Sequence, residues 1–338
     1  VVIDERGVPH IFAQSMDDAA FIQGYLHARD RLWQMDISVR ATIGRLSEVM
    51  GERTLEHDRM QRRKGLLWGA ENALRKWMSA PDEAAVIEAY CRGANAYIES
   101  LRPANYPIEF KLLGYAPEPW TPLHIAAFYK SMSEALCSRH DDIPATHTRA
   151  LLGDSLFQAL YPEYNPRQSP VIPDQVEWSF QPAPITSKPA GDTLLSGGAS
   201  HTPFEQPSPF IGSNNWAVSA EKTANGAPIL CNDPHLQLRL PAVWYEVQMQ
   251  TPNYNTYGVS FPGVPGIIIG FNKHIAWGVT NVGHDVLDWY RIDWANPEKT
   301  AYWLDGREEP VREIVEVIQV RGRSAPVRDT VRYTTWGP

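Results

Sequence analysis

Apolar residues recur at helical spacing in the first part of the chain. The pattern predicts a helix from Asp17 to about Met50, because its apolar positions lie near a 3.6-residue period: Phe21, Tyr25, Leu32 and Met35. Ser15 or Asp17 can cap its start, since either side chain accepts a hydrogen bond from a free N–H group of the first turn. Further helices are predicted over Ala84–Leu101, His124–Ala135 and His147–Leu160. Residues 103–122 are rich in proline and are interpreted as a connection.

The apolar period is lost in a segment rich in proline, serine and glycine. Six prolines interrupt residues 181–212, which also contain Gly197-Gly198. This composition is typical of a linker. We therefore expect a mainly helical segment over 1–180, a linker over 181–212, and a β-rich segment over 213–338.

Short runs rich in β-branched and aromatic residues follow the linker. Glycine, proline and asparagine turns separate the runs Trp216–Val218, Pro228–Leu230, Val243–Met249, Tyr257–Phe261, Ile267–Phe271 and Ile275–Gly278. Residues 311–334 add β-branched runs such as Ile314–Ile318. Helices followed by strands predict an α+β fold.

Composition narrows the functional classes. With 338 residues and 43% hydrophobic residues the chain can build a substantial core, and its net charge of −8 with no basic stripe gives no sign of a nucleic-acid partner. No apolar run approaches the ~18 residues of a membrane-spanning helix. The three cysteines, Cys91, Cys137 and Cys231, lack metal-ligand spacing and are expected to be buried free thiols. The charged cluster His27–Arg31 is interpreted as a buried ion-pair network that holds the two halves together.

Gly212-Ser213-Asn214-Asn215-Trp216 is the motif with the clearest chemistry, although the same residues also suit an Asx-type turn. If the Gly212–Ser213 bond is cut, Ser213 becomes an N-terminal residue that carries nucleophile and base together. Its α-amine, with an ordinary pKa of about 7.7–8.0, is suited to accept the hydroxyl proton near neutral pH. Gly212 suits the cleavage because glycine tolerates a strained peptide.

Motifs on both sides of this junction occur in one order. They are Gly7–Ile11, Gly24–Met35, Gly44–Glu48, Pro117–Pro122, Asn232–His235, Pro262–Gly266 and Ile275–Asn281. In these motifs and their order the chain resembles the penicillin acylase (penicillin amidase) family of N-terminal-nucleophile hydrolases, which includes acyl-homoserine lactone and cephalosporin acylases. The resemblance covers nearly the whole chain. It implies a four-layer αββα fold with two antiparallel sheets and the nucleophile at the start of a central strand.

The resemblance also implies the roles of the catalytic residues. Ser213 is the nucleophile, exposed by autocatalytic cleavage after Gly212. The backbone N–H of Asn281 is one oxyanion donor; an ordinary strand end is the alternative. His235 lies where a family residue steadies the nucleophile and its amine; a packed histidine with one hydrogen bond is the alternative. The apolar acyl pocket corresponds to Met132, Leu136, Leu236, Ile269 and Val279, which weakly favours an aliphatic acyl group; ordinary core residues are the alternative.

A structural calcium ion is implied as well, and no organic cofactor is expected. The loop that contains Asp285, Leu287 and Asp288 offers oxygen ligands that suit Ca²⁺. Asp142 is the expected partner from the first half, and Asp141 is the next candidate. A solvated acidic loop is the alternative. The family works in the periplasm or outside the cell.

The resemblance predicts a self-processing amidohydrolase that cleaves a linear amide between an apolar acyl group and a small polar amine. Penicillins, cephalosporin derivatives and acyl-homoserine lactones are the family's substrate classes, and the partners of the processed protein are its own α- and β-type chains. Family members continue well beyond this length, so we expect a fragment of a longer chain that has little activity alone. The alternative is an inactive or unprocessed member that acts as a ligand-binding protein, which the 12 tryptophans keep open.

Overall fold

Helices form most of the first part of the chain. The computed structural model describes residues 1–137, 142–162, 212–236, 238–281 and 287–338. Its α-helices are α1 (Met16–Ile43), α2 (Ser47–Met50), α3 (Leu55–Lys64), α4 (Leu66–Trp77), α5 (Pro81–Ser100), α6 (Ile108–Leu113), α7 (Pro122–Cys137) and α8 (Asp142–Leu160). The helical predictions over Ala84–Leu101, His124–Ala135 and His147–Leu160 are confirmed by α5, α7 and α8. The first predicted helix is confirmed only as far as Ile43, because Gly44 ends α1 and residues 47–50 form the separate helix α2. In contrast, α6 lies inside the segment that the sequence predicts to be an irregular connection.

Helix α1 begins and ends at residues suited to those positions. Ser15 is its N-cap, and the Ser15 side chain accepts a hydrogen bond from the backbone N–H of Asp18 at 3.1 Å. The helix ends at Gly44, whose φ of 68° is left-handed and therefore favours glycine.

Helix α1 packs against α5 with their backbones in close contact. A Cβ atom at Gly24 would lie 2.1 Å from the carbonyl oxygen of Tyr90, and one at Gly93 would lie 1.7 Å from that of Phe21. Each helix therefore contributes a glycine at the crossing, because a side chain there would collide with rigid backbone.

A six-stranded sheet joins the start of the chain to its second half. The strands are β1 (Val2–Ile3), β2 (Pro9–Phe12), β5 (Tyr245–Thr251), β6 (Tyr254–Ser260), β7 (Ile269–Asn272) and β8 (Ala276–Trp277), in that order across the sheet. All neighbours are antiparallel except β2 and β5, which pair in parallel with Ile11 opposite Met249. Alternate residues of β5, namely Tyr245, Val247 and Met249, are buried, which is typical of a strand with one covered face.

The largest hydrophobic cluster lies between the long helices and the segment after β6. Trp120 is buried there and its indole N–H donates a hydrogen bond to the carbonyl oxygen of Gly263 at 3.2 Å. Gly263 has a φ of 119°, and a side chain there would press against Trp120 and Phe128. This contact joins the Pro117–Pro122 motif to the Pro262–Gly266 motif.

Three hairpins complete the described strands: β3 (Gly212–Val218) with β4 (Ile229–His235), β9 (Ala301–Leu304) with β10 (Arg307–Pro310), and β11 (Arg312–Ile318) with β12 (Val327–Tyr333). The α+β prediction is confirmed. In the described ranges β3 pairs with β4 in a separate two-stranded sheet rather than in the centre of a larger one. The side chain of Asn232, in β4, hydrogen-bonds the backbone of Val279 as a neighbouring strand would.

The chain forms two compact units. The first comprises Val1–Ser138, Pro207–His284 and Ile292–Pro338, and the second comprises Arg139–Gln206 and Asp285–Arg291. In the described residues the second unit contains α8 and residues 287–291. Both predicted segments, 1–180 and 213–338, contribute to the first unit. The predicted linker 181–212 lies outside the described residues except for Gly212, so its boundaries stay a prediction.

The prediction that the His27–Arg31 cluster forms a buried ion-pair network is wrong. His27 is fully buried, and burial lowers its pKa to about 3, so that the ring is neutral. The Arg29–Asp30 ion pair is partly exposed, at 40% and 28% of the two side chains. Hydrogen bonds therefore link the two halves here, since His27 lies 3.0 Å from Ser260 Oγ and Tyr245 donates to Asp30 at 2.6 Å.

Candidate active site

Ser213 is the second residue of β3, at the open end of the β3–β4 hairpin. Pro234 lies opposite Ser213 and His235 lies opposite Gly212. The Ser213 hydroxyl donates a hydrogen bond to the carbonyl oxygen of Gly212 at 2.6 Å, and both residues are partly buried. The hydroxyl thus lies against the peptide bond whose cleavage the sequence predicts.

His235 lies beside that peptide bond, on the neighbouring strand. Its Nδ1 atom lies 3.8 Å from the place that a Cβ atom of Gly212 would occupy. Its other ring nitrogen, Nε2, lies 2.7 Å from Asp233 Oδ2, and both side chains are about half exposed. The His235 ring therefore has one hydrogen-bond partner on its own strand and lies on the Gly212 side of the hairpin.

Asn232 connects β3 to the segment that follows β8. Its amide Nδ2 donates hydrogen bonds to the carbonyl oxygens of Asn214 at 2.8 Å and of Val279 at 3.0 Å. Its Oδ1 accepts a hydrogen bond from the backbone N–H of Val279 at 3.0 Å. One side chain thus ties the residue after Ser213 to a residue two positions before Asn281.

Asn281 is anchored on its other side by α7. The Asn281 side chain donates a hydrogen bond from Nδ2 to the carbonyl oxygen of Leu136 at 2.6 Å. Leu136 lies in the last turn of α7, one turn after Met132. The structure therefore brings together Asn281, Val279 and Leu136 from the predicted site, and joins Val279 to the strand of Ser213.

The other predicted pocket residues lie on several elements. Met132 packs against the main hydrophobic cluster, Ile269 begins β7, and Leu236 directly follows β4. Val279 is 46% exposed, and Leu136 and Leu236 are partly buried. Their assignment to an acyl pocket stays a prediction.

The predicted calcium ligands divide between described and undescribed residues. Asp142 begins α8 and is partly buried, as is Leu287, whereas Asp288 is exposed. Asp141 and Asp285 lie outside the described residues. Among the residues that the structure describes, no three histidine, cysteine or carboxylate side chains lie close enough to hold a metal ion. The described residues alone do not assemble the ligand set, so calcium stays a prediction.

Asn232 is the residue that the sequence reasoning missed. It belongs to the motif Asn232–His235, in which only His235 drew a functional prediction. Its residue type carries a signal, because an asparagine amide can both donate to and accept from backbone groups. The sequence contains no sign of its partner, Val279, which lies 47 positions away.

Comparison with known proteins gives matches along the whole chain. The family described as Penicillin amidase matches residues 1–338. An acyl-homoserine lactone acylase, QuiP, from Pseudomonas aeruginosa is 32% identical over 98% of this chain and 39% of its own length. The penicillin acylase 2 proenzyme of Pseudomonas sp. strain SE83 is 33% identical over 99% of this chain and 42% of its own length.

A solved structure of a thermostable penicillin G acylase from Alcaligenes faecalis is 25% identical to this chain. It covers 54% of this chain and 96% of its own, with a TM-score of 0.42. The chain spans about two fifths of the length of the two relatives above, at 39% and 42%. No helix in the described ranges is long and apolar enough to cross a membrane.

Proposed function

The chain belongs to the penicillin amidase family, and on that premise we propose that the whole protein is a self-processing amidohydrolase whose nucleophile is Ser213. The family implies hydrolysis of amide bonds. The observation that carries the assignment to this residue is the contact of the Ser213 hydroxyl with the Gly212 carbonyl, at 2.6 Å, at the open end of the β3–β4 hairpin. Asn232 supports it by tying this hairpin to the Val279–Asn281 segment.

Self-processing would begin at the contact between Ser213 and Gly212. The Ser213 oxygen attacks the Gly212 carbonyl carbon and gives up its proton, the peptide C–N bond breaks, and that proton passes to the nitrogen, which becomes the Ser213 α-amine. The acyl group then rests on the hydroxyl oxygen as an ester. Water hydrolyses that ester, which leaves a carboxylate on Gly212 and a free N-terminal serine.

Turnover would use the amine that processing releases. The α-amine takes the proton of the Ser213 hydroxyl while the oxygen attacks the substrate carbonyl, and the same proton then passes to the departing amine. The acyl-enzyme ester is hydrolysed by water. The backbone N–H of Asn281 donates to the oxyanion of each tetrahedral intermediate; loss of one such donor costs ~10²–10³-fold in rate.

The relatives suggest the substrate class. One carries the name acyl-homoserine lactone acylase and another the name penicillin acylase, so both names describe cleavage of an acyl group from a small polar amine. We propose a linear amide of this kind, with an apolar acyl group against Met132, Leu136, Leu236, Ile269 and Val279. The word proenzyme in the second name supports processing into two chains.

The location and the metal belong to the same proposal. A periplasmic or secreted protein would match the family to which the chain belongs. Asp142, Asp285, Leu287 and Asp288 would hold a structural calcium ion, which stabilises the fold and takes no part in proton transfer.

Mass spectrometry and N-terminal sequencing of the full-length protein test the proposal. We expect two chains, one of which begins at Ser213, and a single uncut chain for the Ser213→Ala variant. Ser219→Ala is the matched control, because Ser219 lies in the same hairpin connection and makes no side-chain capping bond; that variant should be cut like the natural protein. The cut protein is then tested for release of homoserine lactone from straight-chain acyl-homoserine lactones and of 6-aminopenicillanic acid from penicillin G.

A soluble, folded full-length protein that stays uncut would overturn the proposal. The alternative of a ligand-binding family member would then stand first, and binding of the same compounds to the uncut protein would be measured by calorimetry.

A further inference from the structure

The side chain of Asn232 takes the place of a neighbouring strand. Its Oδ1 accepts from the Val279 N–H and its Nδ2 donates to the Val279 carbonyl oxygen, which is the pair of hydrogen bonds that one strand residue offers another. The same Nδ2 donates to Asn214 on β3. A single amide therefore determines how far Val279 lies from the strand that carries Ser213.

We propose that Asn232 is a positioning residue, which holds the Val279–Asn281 backbone so that the Asn281 N–H points at the oxyanion formed on the substrate of Ser213. The inference rests on the proposed function. Asn232 itself touches no reacting atom. It acts through backbone geometry, and a displacement of about 1 Å in such a group costs up to ~10²-fold in rate.

Gly278 provides independent support. A Cβ atom at Gly278 would lie 2.7 Å from Cβ, 2.8 Å from Cγ and 2.9 Å from Oδ1 of Asn232. Gly278 has an ordinary negative φ, so its backbone conformation does not require glycine. Position 278 holds a glycine because the Asn232 side chain occupies the space that a larger residue would need.

The segment has a second anchor two residues after Val279. Asn281 is held to Leu136 on α7, so the segment is fixed at both ends by side-chain amides. Asn232 is partly exposed, and hydrogen bonds that exchange with water add little net stability. The three hydrogen bonds from Asn232 to backbone groups are therefore better explained by a role in positioning the backbone than by a contribution to stability.

Steady-state kinetics of the processed full-length protein tests the inference, with hydrolysis of a straight-chain acyl-homoserine lactone as the assay. We expect Asn232→Ala to lower kcat by ~10²-fold with little change in KM, because an oxyanion donor acts only in the transition state. Asn225→Ala is the matched control, since Asn225 caps a backbone N–H in the turn of the same hairpin and should leave both constants unchanged. A kcat for Asn232→Ala within threefold of the natural value would overturn the inference.

Two further variants separate positioning from general damage. The carboxyl group introduced by Asn232→Asp mimics the amide when protonated, but when ionised it faces the carbonyl oxygens of Asn214 and Val279. The activity of this variant relative to the natural protein should therefore rise as the pH falls. Gly278→Ala displaces the Asn232 side chain, so its loss of kcat and that of Asn232→Ala should be non-additive in the double variant. A pH-independent ratio, or additive losses, would contradict the inference.

Hydrogen exchange in the uncut Ser213→Ala variant distinguishes this inference from the proposed function. Asn232→Ala in that background should increase exchange at the Val279 amide, which loses its acceptor, and Asn225→Ala should not. If the natural protein proves uncut, the proposed function fails, and unchanged exchange at Val279 would then show that Asn232 does not hold the segment either. Faster exchange with unchanged kcat in an active enzyme would overturn the inference alone.

Discussion

Arg45 donates two hydrogen bonds to the carboxylate of Glu118, at 3.1 and 3.0 Å, and so joins the end of α1 to the segment before α7. The same guanidinium donates to Glu48 at 2.7 and 2.6 Å. Arg40, whose side chain is only 4% exposed, lies 2.8 Å from Glu118 and 2.7 Å from Glu48. Two of the family motifs, Gly44–Glu48 and Pro117–Pro122, therefore share one charge network that acts in the fold rather than in the chemistry.

Replacement of Glu118 by glutamine should destabilise the protein in a pH-dependent way. Burial raises the pKa of Glu118, but hydrogen bonds from Arg45 and Arg40 outweigh burial and lower the pKa to about 2. Since the ordinary value is about 4.3, the ionised carboxylate stabilises the fold above that pH and loses the effect as the pH falls toward 2. With a 40% exposed side chain, screening reduces the expected loss for Glu118→Gln to about 1–2 kcal/mol at neutral pH.

Urea unfolding at neutral pH and at about pH 3, between the ordinary glutamate pKa and the lowered one, measures this difference, which should shrink at the lower pH. Glu56→Gln is the matched control: Glu56 pairs with Arg59 but its side chain is 79% exposed, so its loss should be below about 0.5 kcal/mol. Equal losses of stability for Glu118→Gln and Glu56→Gln would show that the charge network around Glu118 does not stabilise the fold.

His27 lies in a directed chain of buried hydrogen bonds. The Tyr90 hydroxyl accepts from the Gly263 N–H at 2.9 Å and therefore donates its own proton to His27 Nδ1, at 2.7 Å. Ser260 Oγ donates to the Tyr245 carbonyl at 3.0 Å, so it accepts from the Nε2–H of His27, also at 3.0 Å. The chain assigns the single proton of the neutral ring to Nε2.

Replacement of His27 by glutamine should lower stability and flatten its pH dependence. Burial lowers the pKa of His27 to about 3, whereas the unfolded chain takes up a proton below about 6.5. Stability therefore falls as the pH drops from about 6.5 toward 3, by at most ~1.4 kcal/mol per pH unit from this group. We expect His27→Gln to lose about 1–3 kcal/mol at neutral pH through broken buried hydrogen bonds.

Guanidinium unfolding between about pH 7 and pH 5 measures both effects on His27→Gln. If the free energy of unfolding of the variant depends on pH as steeply as that of the natural protein over this range, His27 does not take up a proton on unfolding.

The sequence predicts those helices and strands whose caps, turns and apolar spacing lie within the element itself. The Ser15 cap is a short-range signal and is confirmed, and the helix that the apolar period predicts is present over Met16–Ile43. Helix α3 is different, because its residues are mostly charged and have little apolar period. Two of its arginines bind partners more than 250 positions away: Arg62 donates to Glu316 and Arg63 to Asp329. Such a helix depends on contacts that a window of neighbouring residues does not contain.

The candidate site also contains residues that the sequence could indicate and one that it could not. Gly212, Ser213 and Asn281 could be selected because their motifs are contiguous, and the resemblance supplied their proposed roles. Asn232 could not, because its role depends on the close approach of Val279 to β3. A sequence shows which chemistry a residue can perform, but only the fold shows which backbone groups come within its reach.

The cysteines should differ in reactivity toward alkylation. Burial raises the pKa of the Cys91 thiol to about 12, and the Cys91 side chain lies within the main hydrophobic cluster. Cys231, in β4, is partly exposed. We expect iodoacetamide to label Cys231 in the native protein and Cys91 only after denaturation, as measured by mass spectrometry of tryptic peptides. Labelling of Cys91 at the rate of Cys231 in the native state would contradict the described packing.

Two helical glycines, one at the α1–α5 crossing and one in α4, should respond in opposite ways to replacement by alanine. Gly93→Ala places a Cβ atom 1.7 Å from the backbone oxygen of Phe21, so the helices must separate, and overpacking of this kind costs at least about 1–3 kcal/mol. Gly69→Ala, in α4, meets only the flexible end of Lys130 at 3.3 Å, and removal of a helical glycine should stabilise the protein by about 0.5–1 kcal/mol. Thermal unfolding followed by circular dichroism should therefore show a lower midpoint for Gly93→Ala and a higher one for Gly69→Ala. Shifts in the same direction would mean that backbone contact between α1 and α5 does not govern the stability of this helical layer.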